Sequence, residues 1–163
     1  WGIMNKFYKV SLEQYIKDGG SYENWNDLKI PCVATSKSAG HDFYAPFDFS
    51  LSVGETIKFP TGIKVELDND KVLLIFPRSS LGFKYRLQLD NTVGVIDADY
   101  YNNEDNEGHI FIKLTNDSYD DNKTLVIKKG EAIAQGVIVQ FFVAEGSESE
   151  NKREGGIGST NGK

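Results

Sequence analysis

Cysteine is almost missing from this chain. Cys32 stands alone among 163 residues, so no intrachain disulfide can form. Histidine is nearly as scarce: His41 and His109 are the only two, too few with one cysteine for a structural zinc cluster. The longest apolar runs, VLLIF (72–76) and GVIVQFFVA (136–144), fall far short of the ~20 residues a membrane-spanning helix needs. No secretory signal pattern is visible, and together these features point to a reducing, cytoplasmic setting. An excess of basic residues is also absent. Lys and Arg total 18 against 24 Asp and Glu, a net charge of −6, which argues against stable binding to a nucleic-acid backbone. An anionic ligand would have to be held against the protein's own field, by placed donors, an arginine or two, or a divalent metal.

What is present is an ordinary globular composition, 39% hydrophobic and 26% charged, in a length that suits one domain. Met4 reads as the native start, with Trp1-Gly2-Ile3 an added remnant. One helix is signalled: Ser11 and Gln14 have capping-box spacing, Leu12, Tyr15 and Ile16 share a face, and Gly19-Gly20 stops the run. The remainder reads as short strands. In residues 63–67, Ile63, Val65 and Leu67 point one way while Lys64 and Glu66 point the other. Val-Gly, Pro-Thr-Gly and Asp-Asn-Asp turn signals punctuate such runs. Many short strands with little helix imply an all-β sandwich or barrel. From Glu145 onward the chain is polar and rich in Gly and Ser, so a barrel domain over 1–144 and an arm over 145–163 are expected.

Four segments interrupt the strand pattern with residues able to do chemistry. In SAGHDFYAP (38–46), Asp42 follows a glycine and its neighbour His41; alone it reads as a turn carboxylate capping local N–H groups. In IFPRSSLGFK (75–84), Pro77 ends an apolar strand and Arg78, Ser79 and Ser80 follow at its tip. A guanidinium beside two short hydroxyl donors suits an anion; a capped turn into a short helix fits as well. In LQLDNTVGVIDADYYNNEDNEGH (87–109), Asp90-Asn91-Thr92 reads as a hairpin turn, and Gly94-Val95-Ile96 leads to Asp97, Asp99 and Tyr100. A carboxylate held where a sheet opens is what a general base for water requires, and Tyr100 offers a flat face to a sugar or base. Turn carboxylates solvating a loop are the alternative, and residues 102–107 read as an acidic surface loop. In KKGEAIAQGVIV (128–139), Gln135 stands among apolar neighbours, so its amide bonds backbone or reaches a ligand. The tail REGGIGSTNGK (153–163) sets Gly155, Gly156, Gly158 and Gly162 around Ser159 and Thr160. It suits a frayed end, or an arm whose glycine N–H groups close on phosphate.

In this order the five segments resemble the motifs of the trimeric dUTP pyrophosphatase (dUTPase) family. SAGHDFYAP is similar to the first, PRSSLGFK to the second, NTVGVIDADY to the third, GEAIAQ to the fourth and GGIGST to the fifth, covering roughly residues 38–161. The resemblance implies a distorted jelly-roll-like β-barrel with one short N-terminal helix, assembled as a homotrimer with shared active sites. It implies Mg²⁺-dependent hydrolysis of dUTP to dUMP and pyrophosphate, which limits uracil in DNA. Carried over by position, Asp97 would be the general base that directs water at the α-phosphorus, and Tyr100 would pack under the deoxyribose. The turn carrying Asn91, Gly94 and Ile96 would read uracil, largely through backbone. Arg78, Ser79, Ser80 and Gln135 would hold phosphates, and Asp42 would hold Mg²⁺ through water. Arg153, Gly155, Gly156, Ile157, Gly158, Ser159 and Thr160 would close over the nucleotide.

The chain departs from that pattern in three places. Ile157 stands where the fifth motif carries an aromatic ring that stacks on uracil. The family's arginine, five residues earlier, falls on Lys152, with Arg153 one place later. After Tyr100 a longer acidic loop, residues 101–108, replaces a short Arg/Gly turn. Two other readings compete. One is a dCTP deaminase-like relative, against which the intact GVIDADY with Asn91 argues. The other is a nucleotide-gated binding module whose loop and N-terminal helix face a protein regulator.

Overall fold

The computed structural model describes residues 5–158. Ser159 and Thr160, assigned above to the arm, lie outside those residues. Twelve strands and three short helices follow one another along the described chain. Strand β1 (Lys6–Lys9) leads into α1 (Leu12–Lys17) and α2 (Tyr22–Asn26). Next come β2 (Cys32–Val33), β3 (His41–Tyr44), β4 (Phe49–Leu51), β5 (Thr56–Pro60), β6 (Ile63–Glu66) and β7 (Lys71–Pro77). Helix α3 (Ser79–Tyr85), β8 (Leu87–Leu89), β9 (Gly94–Ile96) and a 3₁₀ turn (Ala98–Tyr100) follow. β10 (Phe111–Asn116), β11 (Leu125–Ile127) and β12 (Ala132–Gln140) complete the order.

Every pairing is antiparallel. A five-stranded sheet runs β2-β3-β12-β7-β9, a three-stranded sheet β5-β10-β8, and two pairs, β1-β6 and β11-β4, complete the β framework. The expected alternation is the reason for this layering. Ile63, Val65 and Leu67 are buried as the period of two requires. They join Phe43, Leu73, Ile75 and Ile133 of the large sheet and Phe59, Leu89, Ile112 and Leu114 of the three-stranded sheet in one core. Each such side chain contributes roughly 1.5–3 kcal/mol on burial.

Ser11 caps α1 as its sequence signals, its Oγ accepting the Gln14 N–H at 3.1 Å. Of the three residues expected on its inner face, Tyr15 is fully buried but Ile16 is exposed. A helix of six residues rests on its neighbours along a single stripe, and Ile16 lies outside it. Helix α2 was not among the expected elements, whereas the short helix that the sequence allowed after Pro77 forms as α3, without a side-chain cap. α2 is capped by Ser21, whose Oγ accepts the Asn24 N–H at 3.1 Å, and α3 starts where Pro77 ends β7.

The turn at Asp90-Asn91-Thr92 forms, with the Thr92 N–H on the Leu89 carbonyl at 2.9 Å and a positive φ of 68° at Thr92. It is not the hairpin expected from the sequence, because β8 pairs with β10 and β9 with β7. The turn is therefore a corner between two sheets, and it leaves β9 as an edge strand.

Candidate active site

The large sheet positions the site through β7. One side of β7 pairs with β12 and the other with β9, where Ile75 faces Gly94 in register. Gly94 allows a close approach there, since a Cβ would lie 3.0 Å from the Cβ of Ile75 and one of the two strands would have to give. Beyond Ile96 the chain leaves the sheet. Asp97 takes an extended conformation (φ −74°, ψ 155°) at the start of the 3₁₀ turn, and its side chain makes no capping bond. Its carboxylate is thus turned outward rather than spent on local structure.

A pocket of about 270 Å³ opens beside this edge. Asn91, Gly94, Ile96, Asp97 and Tyr100 line it together with Arg153, Ile157 and Gly158 of the arm, and Ile75, Leu89, Ile110 and Phe111 supply its apolar wall. Tyr100 is buried. Its hydroxyl donates to the His109 carbonyl at 2.6 Å and accepts from Asn106 Nδ2 at 2.8 Å. Burial pushes its pKa up, so the phenol stays protonated and donating.

The arm is folded onto the pocket. Arg153 Nη2 donates to Asp97 Oδ2 and Nε to Asp99 Oδ1, both at 2.8 Å, and the guanidinium lies 5.7 Å over the Tyr100 ring. The Arg153 side chain is 9% exposed. Arg153, not Lys152, makes the arm's contact with the acidic residues, and Asp99 enters the site as the second prong of that fork, a role the sequence pattern did not mark. Gly156 is buried and its N–H reaches Asp105 Oδ2 at 3.3 Å, Ile157 is 72% exposed at the pocket mouth, and Gly155 adjoins them in the arm.

The remaining expected site residues form a second group on the same sheet. Asp42 lies in β3, facing Gln135 of β12 and Cys32 of β2 rather than occupying a turn, and His41 precedes it in the strand. Gln135 is half-buried and its Nε2 makes long contacts of 3.4 Å to the Pro77 carbonyl and to Ser79 Oγ. Arg78, Ser79 and Ser80 are exposed at the tip of β7 and the start of α3, with Arg78 Nη1 on the Ala132 carbonyl at 3.2 Å. None of these five lines the pocket. The chain therefore presents a pocket on β9 and a polar patch at β3, β12 and α3, separated by β7.

Sequence reasoning missed the support beneath Tyr100. His109 is fully buried, its Nδ1 on Asp18 Oδ2 at 2.6 Å and its Nε2 accepting the Gly62 N–H at 2.8 Å. Burial lowers its pKa, outweighing the opposite pull of Asp18 and Glu107. Loop 101–108 is likewise more than a solvated acidic surface, since Asn106 braces Tyr100 and Glu107 bonds Ser11 and Lys64. Among the described residues no group of three His, Cys, Asp or Glu could enclose a metal ion, and no helix is long and apolar enough to cross a membrane.

A family model described as dUTPase matches residues 26–161. The deoxyuridine 5'-triphosphate nucleotidohydrolase of Lactococcus lactis subsp. lactis (strain IL1403) is 45% identical over 135 residues, covering 82% of this chain and 88% of that protein. The protein of the same name from Dictyoglomus turgidum is 36% identical over 143 residues, 82% of this chain and 91% of its own. Among solved structures, the dUTPase of Streptococcus mutans superposes with a TM-score of 0.68 at 36% identity, over 86% of this chain and 99% of that one. The dUTPase of Staphylococcus bacteriophage 80alpha shares the fold, with a TM-score of 0.65 at 23% identity over 90% of this chain and 88% of that one. With the jelly-roll-like β fold and the ordered motifs in place, these matches establish that the chain belongs to the dUTPase family.

Proposed function

We propose that this protein is a dUTP diphosphatase that directs water at the α-phosphorus of dUTP, releasing dUMP and pyrophosphate. The observation that carries the reading is the convergence of Asn91, Gly94, Asp97, Tyr100 and Arg153 on one pocket beside an edge strand. An edge strand keeps a row of peptide N–H and C=O groups that no neighbouring strand takes. The outer edge of β9 and the turn at Asn91 can therefore read a pyrimidine's donor and acceptor pattern with backbone alone. The close approach of Gly94 to Ile75 keeps that wall stiff, which disfavours a base carrying an extra methyl group. Tyr100, buried and held by His109 and Asn106, forms the floor against which a deoxyribose packs.

Asp97 acts as general base in this reading. Its carboxylate orders a water and takes its proton as the oxygen attacks, while the leaving pyrophosphate takes the bonding electrons of the P–O bond. Little more than placement and charge stabilisation is asked of the protein in such a step. Arg153 exchanges Asp97 for phosphate oxygens when substrate enters. Arg78, Ser79, Ser80 and Gln135 hold the phosphate chain, and Ser159 and Thr160 extend the arm's hold.

The residues present fit a magnesium ion that arrives with the triphosphate better than one held in a protein cage. Asp42 is a single strand carboxylate, and Mg²⁺ commonly keeps its waters and uses one or two carboxylates plus substrate phosphates. When bound it neutralises phosphate charge. The separation of the β9 pocket from the Asp42–Arg78–Gln135 patch supports a homotrimer in which one chain's patch completes another chain's pocket. A cytoplasmic setting, a barrel over 1–144 and an arm over 145–163 accompany the proposal.

The test is a pyrophosphate-release panel over dUTP, dTTP, dCTP and UTP in the presence of Mg²⁺, with Asp97→Asn run alongside. The expected result is turnover of dUTP alone and a variant slowed by about two or more orders of magnitude, within the range of lost general-base catalysis. Substantial activity in Asp97→Asn would sink the base assignment. Ammonia release from dCTP would point to a deaminase, and tight dUTP binding without turnover to a regulatory module.

A further inference from the structure

The mechanism above uses loop 101–108 only through Asn106, which braces Tyr100, yet the whole loop is tightly built. Asn103 Oδ1 accepts the N–H groups of Asp105 and Asn106 at 3.0 and 3.1 Å, and Asn103 Nδ2 donates to the Tyr100 carbonyl at 2.8 Å. Asn106 Nδ2 donates to the Tyr100 hydroxyl. Glu107 takes both the N–H and the hydroxyl of Ser11 at 2.7 Å and Lys64 Nζ at 2.9 Å. The loop is thus anchored to the pocket floor, the N-terminal helix and β6.

Asp105 stands apart in pointing its carboxylate at the arm. Its Oδ2 accepts the Gly156 N–H at 3.3 Å. Gly156 is buried although most of the residues around it in the arm are exposed. A Cβ there would lie 2.8 Å from Asn106 Nδ2 and 2.9 Å from Asp105 Oδ2, so any side chain at this position must displace both. Asn106 cannot swing aside without releasing the Tyr100 hydroxyl. Ile157, the next residue, is too exposed for its own burial to hold the arm down.

We propose that Asp105 and Asn106 form a seat for the C-terminal arm, receiving Gly156 so that Arg153 and Ile157 are set over the pocket. They are positioning residues, acting on the reaction through the arm. The seat explains why an acidic loop lies beside a site for an anion: its one carboxylate aimed at the arm meets a backbone N–H. This assignment deepens the reading given above and relies on it for the substrate, while the contacts that form the seat are made by this chain's own residues.

Limited trypsin digestion of the full-length, nucleotide-free protein tests it, read by mass as cleavage after Lys152 or Arg153. A closed arm is cut only when it opens. Asp105→Ala and Gly156→Ala should each be cut about threefold faster or more, the scale of one lost ordinary hydrogen bond. Asp105→Asn keeps an acceptor oxygen and should stay within about twofold of wild type on the same scale. In the dUTP assay Asp105→Ala should raise KM several-fold while kcat changes little. Equal cleavage of wild type and Asp105→Ala would overturn the seat, as would an increase that Asp105→Asn shares in full. Because digestion needs no turnover, this result is separate from any failure of the dUTPase reading.

Discussion

Replacing Arg153 with alanine, beside Lys152→Ala, tests how the arm engages the site. The Arg153 fork joins Asp97 and Asp99, each at 2.8 Å. Those carboxylates are 55% and 59% exposed, so each pairing is screened and contributes about 0.2–1 kcal/mol. The guanidinium over the Tyr100 ring adds about 0.5–1 kcal/mol. This contact is then about 1–3 kcal/mol in all. A charge-assisted bond to a phosphate oxygen contributes about 1.5–3 kcal/mol, and a bidentate one more, so an entering triphosphate draws the guanidinium off Asp97. Alanine loses the phosphate bonds but also the need to break the resting pair. At mid-range values, about 4.5 kcal/mol for two phosphate bonds less about 2 kcal/mol for the pair they replace, the net loss is roughly 2.5 kcal/mol, a fall of about 70-fold in kcat/KM for dUTP measured by pyrophosphate release. Lys152→Ala should fall by no more than about twofold, as surface changes do. A larger loss in Lys152→Ala than in Arg153→Ala would refute the reasoning, because it would mean the basic residue facing the acidic pair is not the one facing substrate.

Two further outcomes follow from the pocket's supports. Gly94→Ala forces β9 away from Ile75 and should cost about 1–3 kcal/mol, lowering Tm by about 3–10 °C with a raised KM for dUTP; an unchanged melting curve would show that the edge strand yields freely. His109 is held neutral, facing Asp18 at Nδ1 and the Gly62 N–H at Nε2, with Glu107 nearby and the Tyr15 and Phe111 rings against it. Its folded pKa is lowered, so as pH falls below the unfolded value of about 6.5 the unfolded chain takes up the proton first. The stability from neutral His109 is complete above that pH and is lost as pH falls toward the folded pKa. Thermal melts between neutral and mildly acidic pH should show this decline, and His109→Gln should flatten it; an identical slope in the variant would contradict the assignment.

How much of this was legible in the sequence depended on the range of the signal. The burial of Ile63, Val65 and Leu67 follows from alternation within five residues, and the Ser11 cap from a spacing of three. Both are local, and both were correct. The exposure of Ile16 was not legible, since which stripe of a short helix is covered depends on what packs against it. The turn at Asp90-Asn91-Thr92 was visible, but whether its flanks pair with each other depends on distant competitors. Here β10 takes Leu89 and β7 takes Gly94.

The site divides along the same line. Residue type and order alone singled out Asp42, Arg78, Ser79, Ser80, Asn91, Asp97, Tyr100, Gln135 and the glycine-rich arm, because each chemistry demands a particular side chain. Only the tertiary structure decided that Arg153 rather than Lys152 meets Asp97, and that Asp99 shares the fork. It also made Asp105, Asn106 and His109 supports of the pocket. Asn106 and His109 lie close to Tyr100 in the chain, but side-chain type alone does not reveal which way that loop folds back. The contacts of Arg153 with Asp97 and Asp99, of Asp105 with Gly156 and of His109 with Asp18 join residues roughly 50 to 90 positions apart, so they are set by how sheets and loops close on one another, a long-range matter that no local pattern encodes.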